Sequence, residues 1–131
     1  MSEDKLPVKN ESDIISVRSF GRNLAANAGF GIVDQCRITT AISELARNAV
    51  VHGGGGSVTI KTIQNDKKGI EIIFRDEGPG IVNLELALKG GYSTVGGLGI
   101  GLSGAKRLMD EFQITSSAGK GTTVIIRKWL K

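Results

Sequence analysis

The chain has 131 residues, of which 40% are hydrophobic, 23% are charged and 5% are aromatic, and its net charge is +4. This composition predicts one soluble globular domain over residues 1–131, with a basic balance that favours acidic partners or phosphates. The low aromatic content argues against a nucleic-acid partner, because binding of single strands relies on aromatic stacking platforms. No apolar run approaches the roughly 20 residues of a membrane span, so no membrane partner is expected.

The first residues and the cysteine content indicate a cellular compartment. The N-terminus is polar and mixed in charge, which is not the pattern of a signal peptide. Cys36 is the only cysteine and has no partner for an internal disulfide, which suits a reducing cytosol. We therefore expect a cytoplasmic protein in which Cys36 is a small buried thiol on a helix. One cysteine with one histidine also argues against a zinc site.

Two helices are predicted in the first half of the chain, after a short edge strand at residues 6–8. Asn10 or Ser12 is suited to cap the first helix, Gly29 to end it and Asp34 to cap the second helix. Apolar and small residues recur at helical spacing and predict the buried stripe of each helix. These residues are Ile14, Val17, Gly21, Leu24 and Ala28 in the first helix, and Ile38, Ala41, Ile42, Leu45 and Ala49 in the second.

The second helix carries two polar residues beside its apolar stripe. Glu44 and Asn48 are four positions apart, so both project from one face of the helix. A carboxylate can deprotonate a hydroxyl, and an amide oxygen can complete the coordination shell of Mg²⁺. The alternative is a solvated polar flank with no chemical role. Arg47 is expected at the surface, and the alternative is a phosphate contact.

Two antiparallel strands should follow, at residues 57–64 and 70–74, because both segments are rich in β-branched residues and a short polar turn joins them. The second strand leads into Asp76, then into a turn with Gly78 and Gly80 on either side of a proline. A carboxylate at this strand end can accept a hydrogen bond from an exocyclic amine such as N6 of adenine, and would repel the carbonyl oxygen of guanine. The alternative is that Asp76 is an ordinary turn residue.

The segment after that turn predicts a ligand-binding loop. A short helix is expected at residues 83–88, and the glycine-rich residues 89–96 have the composition of a mobile lid. The loop Gly97-Leu98-Gly99-Ile100-Gly101 then opens a helix whose apolar side is Leu102, Ala105, Leu108 and Met109. Free backbone N–H groups at such a helix start favour a phosphate.

The chain should close with two strands, at residues 112–117 and 122–129, joined by a glycine turn. Thr122 and Thr123 fall at the start of the last strand. The hydroxyl of either can reach a bound base, or both can serve only the β propensity of the strand. The predicted fold is α+β: a two-layer sandwich with helices on one face of a mixed, mostly antiparallel sheet.

Three elements in fixed order resemble the GHKL (Bergerat-fold) ATP-binding family. They are Glu44-x-x-x-Asn48 on a helix, Asp76-x-Gly78-x-Gly80 after a strand, and the loop from Gly97 to Gly101. The likeness extends over most of the chain. The segments at residues 42–48, 92–99 and 106–112 and the ending Lys128-Trp129-Leu130 are most similar to the bacterial switch kinases and anti-sigma kinases of this family.

The resemblance implies a role for each matching residue. Glu44 would be the catalytic base, Asn48 would ligate Mg²⁺, and Asp76 would bind the adenine amine of ATP. The other expected nucleotide contacts are Gly78, Gly80, Gly97, Leu98, Gly99, Ile100, Gly101 and Thr122.

The resemblance also implies partners, with two functions left open. The first is a protein serine/threonine kinase that phosphorylates STAS-domain antagonist and scaffold proteins and then activates a PP2C-type phosphatase in stress signalling. The second is an anti-sigma factor that sequesters a sigma factor and phosphorylates its antagonist. The nucleotide site would be the same in both.

Overall fold

The computed structural model describes residues 3–51, 54–76, 78, 98–117, 119 and 121–131. Its strands and helices follow one another as β1 (Glu3–Val8), α1 (Glu11–Ala28), α2 (Ile32–Val51), β2 (Gly56–Gln64), β3 (Lys68–Asp76), α3 (Leu98–Leu108), β4 (Glu111–Ser117) and β5 (Gly121–Trp129). The short helix and the lid that we predict at residues 83–88 and 89–96 lie outside the described residues.

The five strands of the described residues form one sheet in the order β1-β2-β3-β5-β4. All four pairings are antiparallel, so the described sheet lacks the parallel component of the mixed sheet that we expected. The predicted two-layer α+β class is confirmed. β1 lies at one edge, where the missing N–H of Pro7 is tolerated.

One face of the sheet carries the core. Alternate residues of a strand share a face, and the register aligns them into apolar rows. These rows are Val58, Phe74, Val124 and Ile114, and next to them Ile60, Ile72, Ile126 and Phe112. The predicted helix stripes pack in the same core, with only Leu24 and Leu108 partly buried.

Most helix boundaries follow the predicted caps. The Asn10 side chain accepts a hydrogen bond from the N–H of Asp13, and Gly29 ends α1 with a left-handed φ of 105°. The prediction that Asp34 caps α2 is wrong. The Gly31 carbonyl already accepts the first helical hydrogen bond, from the N–H of Gln35, so Asp34 lies inside the first turn. In that position its negative charge still interacts favourably with the positive end of the helix dipole.

The prediction of a buried Cys36 is also wrong, because the side chain is exposed. Cys36 precedes the buried Ile38 by two positions, which is a rotation of about 200° around the helix. The thiol therefore lies away from the apolar stripe of α2.

Candidate functional site

One end of the sheet is marked by the buried Lys128 of β5, and it lies opposite the end that carries Asp76. Lys128 pairs with Ile70, near the beginning of β3, and its side chain is buried on the core face. Its Nζ donates to the carbonyl oxygen of Leu108, the last residue of α3, at 3.0 Å. The same Nζ lies 4.0 Å from the Oδ1 atom of Asp34, in the first turn of α2. The beginning of α2 and the end of α3 therefore meet at one ammonium group.

The opposite end of the sheet brings together the other ends of the same helices. The Ala49 carbonyl, in the last turn of α2, accepts a hydrogen bond of 2.7 Å from the N–H of Gly55. Gly56, the next residue, pairs with Asp76 at the end of β3. The helix α3 packs along α2 and extends about 16 Å, so it begins towards this end. We call this end, where Asp76 and the last turns of α2 lie, the site end.

Asp76 begins a polar row across three strands. It pairs with Thr122 on β5, which pairs with Ser116 on β4. These residues alternate with the buried Phe74 and Val124 and the partly buried Ile114, so the polar row lies on the core face of the sheet. It therefore faces the layer in which the helices pack.

The Asp76 carboxylate is partly desolvated and held in place. Its Oδ1 accepts a hydrogen bond of 3.0 Å from the N–H of Gly78, and the carboxylate also accepts one from the N–H of Thr122. Burial raises the pKa of Asp76, although these two hydrogen bonds oppose the rise. A donor group of a ligand would therefore restore part of the solvation that the carboxylate has lost.

Asn48 carries the clearest sign of a missing partner. Its Nδ2 atom is buried and has no hydrogen-bond acceptor among the described residues. An orphaned amide of this kind costs roughly 1–3 kcal/mol, so a ligand atom that accepts from it is favoured. Glu44 lies one turn earlier on the same helix and is half-buried.

The donor set fits a nucleotide with magnesium. The oxygens of a phosphate group would be able to accept a hydrogen bond from Nδ2 of Asn48. The amide oxygen of Asn48 is of a type that Mg²⁺ takes as a ligand. Within the described ranges, no three His, Cys, Asp or Glu side chains approach closely enough to hold a metal ion. A magnesium ion at Asn48 would therefore rely on phosphate oxygens and water, which is how Mg²⁺ is commonly bound.

The predicted phosphate loop begins as a helix. We expected Gly97 to Gly101 to form a loop before the helix, whereas α3 already begins at Leu98. Leu98, Gly99, Ile100 and Gly101 are thus its first turn, and their N–H groups have no acceptor within the helix. Gly80 and Gly97 lie outside the described residues.

The sequence did not single out Ser116 or Lys128. Ser116 contacts the Thr122 hydroxyl, with 2.8 Å between the two side-chain oxygens. A pairing scheme for β4 and β5 is the signal that would have placed Ser116 beside Thr122. Lys128 has only a weak signal, a charged residue at an inward position of the alternating strand β5.

Comparison with known proteins identifies the class. The model of the histidine kinase-, DNA gyrase B- and HSP90-like ATPase family matches residues 33–131. The chain belongs to this ATPase family. A mycobacterial sensor histidine kinase, MprB, has the same fold, with a TM-score of 0.58 over 98% of this chain and 97% of that chain. Only 17% of the aligned residues are identical, so this likeness concerns the fold alone.

Two curated relatives are closer in sequence. The chain is 51% identical over 125 residues to the serine/threonine-protein kinase RsbT of Bacillus subtilis (strain 168), covering 95% of this chain and 94% of that protein. It is 33% identical, over an alignment of 141 positions, to an anti-sigma F factor of Clostridium acetobutylicum. That alignment covers 98% of this chain and 95% of that protein. Among the described residues, no helix is both long and apolar enough to cross a membrane.

Proposed function

We propose that this protein is an ATP-dependent protein serine/threonine kinase. The observation that carries the proposal is the site end of the sheet. There the partly desolvated Asp76 lies with the last turns of α2, which bears Glu44 and an Asn48 amide that has no acceptor among the described residues. The sequence identity of 51% to a serine/threonine-protein kinase over nearly the whole chain supports the same activity.

Asp76 would select the base. Its carboxylate offers only acceptors, so it complements the exocyclic amine of adenine and repels the carbonyl oxygen of guanine. The hydrogen bonds from Gly78 and Thr122 hold the carboxylate in one orientation before the base arrives. The first turn of α3 would contribute free N–H groups to the phosphates.

Asn48 and Glu44 would act on the other end of the nucleotide. The Asn48 side chain would hold Mg²⁺, which when bound neutralises phosphate charge. Glu44 would accept the proton of a serine or threonine hydroxyl while that oxygen forms a bond to the γ-phosphorus and the bond to ADP breaks. The proton thus leaves on Glu44, and the phosphoryl group remains on the substrate protein.

The proposed substrates are STAS-domain antagonist and scaffold proteins, and the proposed downstream partner is a PP2C-type phosphatase. The likeness to RsbT is the support for this partner set. The likeness to an anti-sigma F factor over 98% of the chain supports a second candidate, sequestration of a sigma factor. Affinity capture from native lysate separates the two: STAS proteins with a phosphatase, or a sigma factor with RNA polymerase.

The kinase proposal is tested by transfer of labelled phosphate from ATP to a STAS-domain antagonist, beside nucleotide titration. Glu44→Ala should keep ATP affinity within a fewfold yet transfer phosphate at least about 100 times more slowly, since a general base contributes about 10²–10⁴-fold. Asn48→Ala should lose Mg²⁺-dependent nucleotide binding together with transfer.

Arg47→Ala is a matched control on the same helix. The Arg47 side chain is exposed, and its ion pair, at 3.6 Å, is with the exposed carboxylate of Glu11 on α1. The Arg47→Ala variant should leave both measurements unchanged. Transfer at the parent rate by Glu44→Ala would show that the base lies elsewhere.

A further inference from the structure

A basic recess lies on the surface beside the site end of the sheet. Its volume is about 480 Å³, and Lys5, Lys9 and Arg75 are among the residues that line it. All three residues are exposed. None of their side chains forms a hydrogen bond or an ion pair with another described residue. The recess therefore presents three cations that the described part of the chain does not pair.

Strand pairing explains why these cations surround a hollow. Lys5 and Lys9 lie on either side of Pro7 in the sequence, and Pro7 pairs with Ser57, which pairs with Arg75. The paired residues alternate with core-face residues, so they belong to the face of the sheet away from the helices. Ser57 also lines the recess. Long cationic side chains thus stand around a short one, which leaves a concave surface.

The recess borders the last turn of α2. Gly55 is part of its lining, and a Cβ atom added at Gly55 would lie 3.4 Å from the Cα atom of Lys9. The N–H of Gly55 donates to the carbonyl oxygen of Ala49 at 2.7 Å, and Ala49 directly follows Asn48. A molecule in the recess would therefore lie near the helix turn that bears the proposed magnesium ligand.

Two carboxylates near the recess already accept backbone hydrogen bonds. Asp76 is part of the lining, but its carboxylate belongs to the core face and accepts from the N–H groups of Gly78 and Thr122. Asp13 accepts from the backbone N–H of Lys9 at 2.8 Å. Three cations against two carboxylates leave the recess with a net positive charge.

We propose that this recess docks an acidic segment of the protein substrate, whose Asp and Glu carboxylates pair with Lys5, Lys9 and Arg75. The inference rests on the proposed kinase function. Charge complementarity identifies the partner as an anion, and the described lining includes no aromatic side chain on which nucleic-acid bases would stack. Docking would steer the substrate and hold its hydroxyl near the site end, while the cations take no part in the transfer step.

The first test measures peptide binding and needs no nucleotide. Fluorescence anisotropy at low salt should detect binding of labelled hexaglutamate but not of hexaglutamine. Lys5→Glu combined with Lys9→Glu should weaken hexaglutamate binding at least about tenfold, because attraction at two positions becomes repulsion. Arg75→Gln, which only removes a charge, should weaken it about threefold. Added salt should weaken binding to the parent, because exposed charges are screened.

Lys67→Glu combined with Lys68→Glu is the matched control. Both lysines are exposed and lie where β2 turns into β3, at the other end of the sheet from Asp76. The control makes the same change in net charge, yet it should keep the hexaglutamate affinity within about twofold, since distant exposed charges are screened. Equal weakening by the two double variants overturns the inference. Displacement of hexaglutamate by a lower concentration of a single-stranded oligonucleotide of equal charge also overturns it.

The second test measures phosphate transfer to a STAS-domain antagonist over a range of antagonist concentrations. Lys5→Glu combined with Lys9→Glu should raise the KM for the antagonist about tenfold and leave kcat and ATP affinity within about twofold, because the cations would bind substrate without contacting the reacting atoms. High salt should bring the KM values of parent and variant together. Thermal unfolding checks that each variant keeps its fold. A KM that stays at the parent value overturns the inference.

The two proposals fail differently. If the parent transfers phosphate while neither hexaglutamate affinity nor the KM responds to Lys5 and Lys9, only the docking role is wrong. If the parent transfers no phosphate to the antagonist, the proposed function is wrong, and the docking of a kinase substrate is overturned with it.

Discussion

The two ends of the sheet are built on opposite principles. At the end marked by Lys128, polar groups are paired: its ammonium contacts Asp110 at 3.5 Å, and Asp110 accepts the N–H of Trp129 at 2.8 Å. At the site end, Asn48 has an amide without an acceptor among the described residues, and burial raises the pKa of Asp76. One end therefore holds the two helices together through paired groups, while the proposed site end has polar groups that a ligand would be able to pair with. Stability and nucleotide binding should therefore respond to different substitutions.

The largest effect is expected at Asp76. Asp76→Asn should weaken ATP binding roughly ten- to a hundredfold, because a hydrogen bond to a charged group is worth about 1.5–3 kcal/mol. Parent protein should prefer ATP to GTP, and its affinity should fall as the pH drops below the raised pKa, since binding needs the carboxylate. Isothermal calorimetry measures all three. Equal affinity for GTP contradicts the role of Asp76 in base selection.

The same substitution should not destabilise the fold. The pKa of folded Asp76 lies above its ordinary value of 3.8, so the folded state binds a proton more tightly than the unfolded state. Its contribution to the free energy of unfolding is fully present below pH 3.8 and is lost as the pH rises through the raised pKa. Asp76→Asn should remove this pH dependence and leave the variant at least as stable as the parent at neutral pH. Denaturant titrations at several pH values provide the measurement.

A smaller effect, on stability and not on ATP binding, is expected at Lys128. Lys128→Met removes the hydrogen bond to the Leu108 carbonyl and should lower the free energy of unfolding by about 1–3 kcal/mol. Asp34 and Asp110 are partly exposed and remain solvated, which keeps the loss below that of a fully buried pair. ATP affinity should change little. A large loss of affinity with unchanged stability would show that the two ends are not separate.

The smallest effect is expected at Glu111, on the solvent-facing side of the sheet. Hydrogen bonds from Trp129 and Arg127 lower the pKa of Glu111, so its contribution to stability is present above its ordinary pKa and is lost as the pH falls through the lowered value. Glu111→Gln should cost at most about 1 kcal/mol, because the pair is exposed and screened by salt. The measurement is thermal unfolding at low and high salt, and a cost that ignores salt would argue against an ionic contribution.

The sequence predicted the elements far better than the contacts between them. Periodicity placed the buried stripes of α1 and α2, because one helix face suffices to define each stripe. Two predicted boundaries were misplaced. The helix α2 begins at Ile32, before Asp34, and α3 includes Gly99 and Gly101, which we assigned to a loop.

The contacts of Lys128 and Ser116 needed the pairing of strands as well as local pattern. Lys128 and Asp34 are more than ninety positions apart in the sequence, and the hydrophobic periodicity of neither segment predicts their contact. The site roles of Glu44, Asn48 and Asp76 came from the family resemblance, and they remain predictions that the proposed experiments test.

Trp129 gives the chain a built-in optical reporter. It is the only tryptophan, it pairs with Gly69, and its indole N–H donates to Glu111. Seven strand positions separate Gly69 from Asp76, a distance of about 23 Å. Its emission should therefore follow unfolding and remain constant when a nucleotide binds at the site end. A fluorescence change on adding nucleotide would instead reveal a signal that travels the length of the sheet.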